Sequence, residues 1–290
     1  MSLYAPIVIF TYRRLDHLIS CINSMMANSE FSKSEIYVFS DGWRSEKDKI
    51  EVLAVREYLN KLQNNLEIKL YFREKNYGLQ KNITEGVTKV LEENSSVIVI
   101  EEDLVVSKYF LKYMNYSLNK YKFNEKVISI HGYCYPNINI PDSYFFLRGA
   151  DCWGWATWRE KWSVYSPNGF KLLFKLLVRP MLIFRFNFSL YGPYIRMLYK
   201  SARKKNDSWA IKWYASAYLK NMYTLYPRIP LVKNIGLDDS GEHCGKTNIY
   251  DVELNKNLIL PDLDIVEENN RAWKEFKNFY KKQFIEKFKI

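Results

Sequence analysis

Long apolar runs are missing from this chain. No stretch reaches the roughly 18 apolar residues that a membrane-spanning helix needs, although 48% of the 290 residues are hydrophobic. The opening MSLYAPIVIF lacks the basic n-region and long apolar core of a secretory signal. Cysteine is sparse: Cys21, Cys134, Cys152 and Cys244 show no C-x-x-C spacing. Neither a zinc site nor a disulfide framework is indicated, and a reducing cytoplasm is the default. Glycine numbers only 11, with no G-x-G-x-x-G and no Walker A loop, which weighs against a dehydrogenase or a P-loop enzyme. Internal repeats and low-complexity linkers are absent too. The expectation is a cytoplasmic protein, free or held peripherally at the inner face of the membrane.

What is present is charge and aromatic surface. Lys and Arg outnumber Asp and Glu by 43 to 32, giving +11 and a pI near 9.2. Such a surface favours anionic partners: nucleotides, phosphorylated lipids, an anionic membrane or nucleic acid. Aromatics make up 17%; most must be core, and the rest can stack on sugars or bases.

The most telling segment is 97–106, VIVIEEDLVV. Four consecutive β-branched residues read as a strand covered on both faces. It delivers Glu101, Glu102 and Asp103 at its carboxyl end, where open α/β sheets bind ligands. Three adjacent carboxylates repel one another, which a divalent cation would relieve; a solvated acidic turn is the plainer alternative. Around it the first half alternates strand and helix. Strands are expected at 7–10, 36–39, 68–72 and 97–100, with helices near 15–26, 46–62 and from Gly78. That order implies an α/β fold with a mostly parallel sheet. A mixed α+β half follows: a helix near 108–121, strands at 127–130 and 144–147, a Trp-rich segment at 152–162 and a basic-apolar stretch at 170–205.

In order, the chain carries Thr11-Tyr12-Arg13 after the first strand, Ser40-Asp41-Gly42 after the second, and Asn76-x-Gly78-Leu79-x-x-Asn82 opening a helix. Glu101-Glu102-Asp103-Leu104, Trp153-Gly154-Trp155, Asp207-x-Trp209 and Gly241-Glu242-His243 follow. Together they resemble the GT-A glycosyltransferases, in particular the N-acetylglucosaminyltransferase I group and related bacterial surface-glycan sugar transferases. The resemblance implies a GT-A (Rossmann-like) domain over 1–250, split into a nucleotide-sugar-binding half (1–104) and an acceptor half (105–250), with a C-terminal basic amphipathic tail at 251–290. It also implies an inverting transfer from a nucleoside-diphosphate sugar, UDP foremost, to a hydroxyl of a surface glycan or lipid-linked oligosaccharide.

Residue by residue, the resemblance makes Asp103 the ligand of Mn²⁺ or Mg²⁺, with Glu102 beside the ribose or donor sugar and Glu101 supporting them. The motif departs from Asp-x-Asp by having Glu in its first two places. Asp41 would face the base and Arg13 the nucleotide, while Thr11, Lys81 and Asn82 complete the donor set. On the residues alone, Asp41 reads equally as an Asx-turn residue, Thr11 and Arg13 as a cap and a surface charge, and Asn76 as a helix N-cap. Asp207 is the candidate base, or an ordinary first-turn acid. Trp155 is expected to face the acceptor sugar, with Gly154 allowing close approach; Trp158 and Trp162 read as core. His243, in a Gly-rich loop, would ligate the metal or donate to phosphate, or have no ligand at all. His17 and His131 read as structural.

Near the C-terminus, Trp273, Phe276, Tyr280 and Phe284 recur at helical spacing among lysines. Such a helix can lie in an anionic membrane interface or pack on the domain. Competing functions are a sugar nucleotidyltransferase, which lacks its Gly-rich phosphate loop here, a nucleic-acid-binding module, which the acidic strand end disfavours, and a catalytically inactive membrane scaffold.

Overall fold

The computed structural model describes residues 4–240 and 247–288, with no side-chain description for Phe288. The first half alternates as the pattern predicts. Strand β1 (Ile7–Thr11) leads to α1 (Leu15–Met26), β2 (Ile36–Ser40) to α2 (Glu46–Gln63), β3 (Ile68–Phe72) to α3 (Gly78–Glu93), and β4 (Ser96–Glu101) to the short β5 (Leu104–Val106). Then come α4 (Phe110–Tyr121), β6 (Val127–His131), β7 (Tyr144–Arg148), β8 (Trp155–Trp158) and α5 (Arg159–Trp162). The basic-apolar stretch folds as α6 (Gly169–Leu177), α7 (Pro180–Phe186) and α8 (Tyr194–Ala202). Helix α9 (Trp209–Leu219), β9 (Tyr223–Pro227), β10 (Val232–Asn234) and α10 (Asn270–Phe288) complete the described elements.

Eight strands form one sheet in the order β3-β2-β1-β4-β8-β6-β9-β7, and β5 pairs with β10 in a small second sheet. Pairs β1–β2, β2–β3, β1–β4 and β6–β9 are parallel. The Trp-rich β8 inserts antiparallel between β4 and β6. Its register sets Val99 opposite Trp155, so the Trp segment is a central strand rather than a surface wall.

Both faces of the sheet are covered, which explains the unbroken apolar runs. From β1 and β4, Ile7, Ile9, Ile98 and Ile100 join α1 and α4 on one side. Val8, Phe10, Val97 and Val99 join α3, Trp155, Trp162, Trp209 and Trp213 on the other. The C-terminal segment also packs on the domain. Ala272, Trp273, Phe276 and Tyr280 of α10 cover Phe145 and Tyr226, so the apolar face considered for a membrane is spent against β7 and β9; Phe284 stays partly exposed against Tyr191. The chain reaches α10 as an extended strap whose carbonyls accept tyrosine hydroxyls, Tyr133 at Tyr250 (2.8 Å) and Tyr121 at Leu263 (2.9 Å). No helix among the described residues is long and apolar enough to cross a membrane.

Candidate active site

The carboxyl ends of β1 and β4 meet at Glu102. Thr11 Oγ1 and the Tyr12 amide both donate to Glu102 Oε2 at 2.6 Å, and Arg14 Nε donates to Oε1 at 2.8 Å. Glu102 is buried, and these donors occupy both its oxygens. It therefore ties two strand ends together and has little capacity left for a metal. Thr11, likewise buried, is one of its donors rather than a ligand-facing hydroxyl.

Arg14 bridges onward: its Nη2 lies 2.8 Å from Asp103 Oδ2. Burial opposes the charged guanidinium, but Asp103 and Glu102 outweigh it and raise the Arg14 pKa above its ordinary value. Arg14 Nη1 is buried with no partner among the described residues. Asp103 keeps its second oxygen without a described hydrogen bond, at a side-chain exposure of 18%. Glu101 is half-buried beside them. Burial first, then the charges of Asp103 and Glu102, push its pKa up to about 8 against the pull of Arg14. Arg14 was not read as a site residue from sequence. Arg13, which was, turns to α2 and pairs with Asp48 at 3.1 Å and Glu51 at 3.3 Å.

A second carboxylate group gathers at the start of α3. Asp41 Oδ1 accepts from the amides of Gly42 (2.9 Å) and Tyr77 (2.8 Å), and Oδ2 from Gly78 (3.0 Å). Burial raises its pKa against these three amides and Arg73, which lower it. Asp207 Oδ2 accepts from the Gln80 amide at 3.2 Å. Negative groups are favoured at this end of a helix dipole, and here both come from distant segments. Asn76, expected as the cap, instead donates from Nδ2 to the Gly42 carbonyl at 2.7 Å. Gly78 has φ +73°, and a Cβ there would stand 2.7 Å from Asp207 Oδ2, so glycine admits Asp207 to the helix end. Lys212 bonds to Gln80 beside it; burial pushes its pKa down while Asp207 pulls it up.

The loop after β10 closes on Asp103. The Ile235 amide donates to the Asp103 carbonyl at 2.8 Å, and a Cβ on Gly236 would fall 2.4 Å from Asp103 Oδ2 and 2.7 Å from Arg14 Nη1. His17 Nε2 lies 3.3 Å from both the Ile235 carbonyl and Asp238 Oδ2, so it fastens this loop. His243, the second expected metal ligand, lies outside the described residues.

Other expected contacts do not converge. Lys81 is exposed, 3.6 Å from Glu85 and over the Tyr77 ring at 4.2 Å. Asn82 is buried and accepts from Arg73 Nε at 3.0 Å, which removes it from any diphosphate. Trp155 has 0% exposure among Trp162, Trp209 and Trp213, so no face is free for a sugar. Gly154, at φ +64°, serves packing, because a Cβ would meet Val232 at 2.6 Å. The half-buried aromatic beside them is Trp153, edge-on to Tyr133 at 4.7 Å and Tyr250 at 5.7 Å.

Does this site suit a divalent cation? Among the described residues no group of three or more His, Cys, Asp or Glu side chains could hold one. Mg²⁺-type ions, however, commonly bind through one or two carboxylates plus substrate phosphates and water. Asp103, with one uncommitted oxygen at the strand end, fits that single-carboxylate role; Glu102 does not.

A doubly covered sheet in this strand order, with an acidic turn at the end of its central strand, defines a GT-A-type domain. Residues 7–162, more than half of the chain, match glycosyl transferase family 2, and the chain belongs to that family. The match does not extend to the narrower N-acetylglucosaminyltransferase I group. No curated protein matches the sequence. Similar solved structures include TarS 1–349 of S. aureus, at 13% identity and TM-score 0.38, covering 53% of this chain and 47% of that one. GalNAc-T7 with UDP, GalNAc and Mn²⁺ is 12% identical at TM-score 0.41, covering 56% and 37%. The mannosyltransferase PcManGT of Pyrobaculum calidifontis, with GDP-Man and Mn²⁺, is 11% identical at TM-score 0.32, covering 44% and 35%. The matched region spans less than half the length of each of these structures.

Proposed function

We propose that this chain is an inverting, metal-dependent glycosyltransferase that moves a sugar from a nucleoside-diphosphate donor, UDP foremost, to a hydroxyl of a bacterial surface glycan or lipid-linked oligosaccharide. The observation that carries the reading is the division of labour at the strand ends: Glu102 accepts three of the protein's own donors across both its oxygens, whereas Asp103 keeps one oxygen without a described hydrogen bond.

Asp103 would hold Mn²⁺ or Mg²⁺ together with the donor's phosphates. When bound, the ion supplies Lewis-acid stabilisation of the diphosphate leaving group, worth several kcal/mol. Arg14 supplies fixed positive charge beside Asp103, which restrains the carboxylate before donor arrives. Asp41 Oδ2 accepts one amide and retains one acceptor direction, which suits a uracil imide N–H. Asp207 would take the proton of the acceptor hydroxyl, a contribution of about 10²- to 10⁴-fold. Its anchoring at the Gln80 amide leaves the other carboxylate oxygen for that task. Trp153, not Trp155, offers an aromatic edge to the acceptor. In domain terms, 1–104 would carry the donor, 105–250 the acceptor, and 251–290 would brace the sheet.

The test is nucleotide release from a panel of UDP-, GDP- and CDP-sugars with Mn²⁺, by wild type and Asp207→Asn. One sugar nucleotide should be turned over, and the variant should fall at least about 10²-fold. Equal turnover by both proteins would remove Asp207 from the chemistry.

A further inference from the structure

Residues 161–206 contain ten Lys and Arg and not one Asp or Glu. Within this stretch, α6 buries Leu172, Leu173 and Leu176 against Ile211, Ala215 and Tyr218 of α9. Its outer face nonetheless remains apolar. Phe170 and Phe174 are 71% and 60% exposed; just beyond the helix end, Val178 at its C-cap and Met181 of α7 are 59% and 82% exposed. A helix facing water on one side should be polar there. A contiguous exposed apolar ridge marks an interaction surface.

Beside that ridge lie cations: Lys171 and Lys175 at i and i+4 on α6, and Arg179 at its exit, which lines the same cavity as both. These three residues, with Lys220 at the end of α9, line a cavity of about 330 Å³ that also receives Ser166 and Ser216. No carboxylate lines it among the described residues. Four cations with two hydroxyls, all donors, match a phosphate diester in charge and hydrogen-bonding sense. The turn after α7 adds to the apolar surface. Phe188, Ser189 and Leu190 all have positive φ, a conformation disfavoured for L-residues. It keeps Phe188 in the core while Leu190 stays 59% exposed.

We infer that the α6–α7 face is a docking surface for an anionic phospholipid bilayer: Phe170, Phe174, Val178 and Met181 enter the interface, and the Lys171–Lys175–Arg179–Lys220 cavity receives a lipid phosphate. A protein partner is the weaker fit, because protein interfaces are depleted in lysine and usually pair charge of both signs. Apolar tips set among cations are the pattern of an interfacial helix on anionic lipid.

The experiment is vesicle flotation of the full chain on phosphatidylcholine alone and on phosphatidylcholine with phosphatidylglycerol. Wild type should prefer the anionic vesicles strongly and release with rising salt. Each surface cation contributes about fivefold, so the triple variant Lys171→Ala, Lys175→Ala, Arg179→Ala should lose on the order of 100-fold. Phe174→Ser with Met181→Ser, both solvent-facing, should lose binding while keeping the wild-type melting temperature and nucleotide binding. Equal partition to both vesicle types, or unchanged binding by either variant, overturns the assignment. So does displacement from vesicles by millimolar inorganic phosphate, which would make the cavity a soluble-anion site. A vesicle-independent dimer abolished by Phe174→Ser would overturn it in favour of a second copy. None of these readouts requires glycosyl transfer.

Discussion

Replacing Arg14 with Met removes the one guanidinium that joins Glu102 to Asp103 at 2.8 Å on each side. Its side chain is 17% exposed and that of Glu102 6%, so solvent screens the pair weakly. Breaking a buried pair from one side costs about 3–5 kcal/mol, because a charge is left behind. Glu102 keeps the Thr11 hydroxyl and the Tyr12 amide, which places the expected loss near the low end, about 3 kcal/mol. Unfolding entropy of about 2.1 cal/mol/K per residue, over 290 residues, converts this to a fall in melting temperature of about 5 °C. The double variant Arg14→Met, Glu102→Gln should recover a substantial part of it, since the stranded charge is gone. Thermal unfolding of wild type, both single variants and the double variant gives the coupling directly. An Arg14→Met midpoint within about 1 °C of wild type would refute the view that this residue neutralises the strand-end acids.

Three other outcomes follow from the same structure. His131 is buried, its ring nitrogens have no hydrogen-bond partner among the described residues, and desolvation, opposed by Asp151 3.8 Å away, lowers its pKa to about 4 from 6.5. The unfolded chain therefore takes up the proton first: stability is full above about pH 6.5 and declines as pH falls toward 4, by up to about 3 kcal/mol. His131→Phe should flatten that acid limb in urea unfolding, and an unchanged limb would assign it to other groups. Asp207→Asn should lower transfer about 10²- to 10⁴-fold yet leave the melting temperature nearly unchanged, because the carboxamide oxygen can still accept from Gln80; a large loss of stability would mark Asp207 as structural. Gly236→Ala places a Cβ 2.4 Å from Asp103 Oδ2 and should cost about 1–3 kcal/mol by overpacking, read by chemical denaturation against wild type.

Most of the parallel half of the sheet was legible because β1, β2 and β4 are buried on both faces and write themselves as apolar runs at 7–10, 36–39 and 97–100; the edge strand β3, half-exposed, was read at 68–72 as well. The acidic strand end was legible for the same reason, since Glu101 to Asp103 interrupt a run. What escaped were contacts between distant segments. Asp41 caps α3 from 36 residues away, and Asp207 does so from 127; a local reading chose Asn76 instead. Arg13 and Arg14 are chemically equivalent neighbours, and only the turn after β1 decides which faces Asp103. The Trp-rich segment looked like a sugar-binding wall because local sequence cannot show that β8 lies between β4 and β6, where Trp155 has no free face. Helix α10 showed its apolar stripe in sequence, but whether lipid or Phe145 and Tyr226 would cover it depended on tertiary packing.

The central claim, that Asp103 holds a divalent cation only together with a nucleoside diphosphate, is tested most directly by titration calorimetry. UDP, GDP and CDP are titrated with and without Mn²⁺ into wild type and Asp103→Ala. The account predicts binding of one nucleotide, UDP, that requires Mn²⁺ and disappears in the variant, with little Mn²⁺ binding when nucleotide is absent. Binding that is indifferent to Mn²⁺ and to Asp103→Ala, or no binding at all, would contradict it.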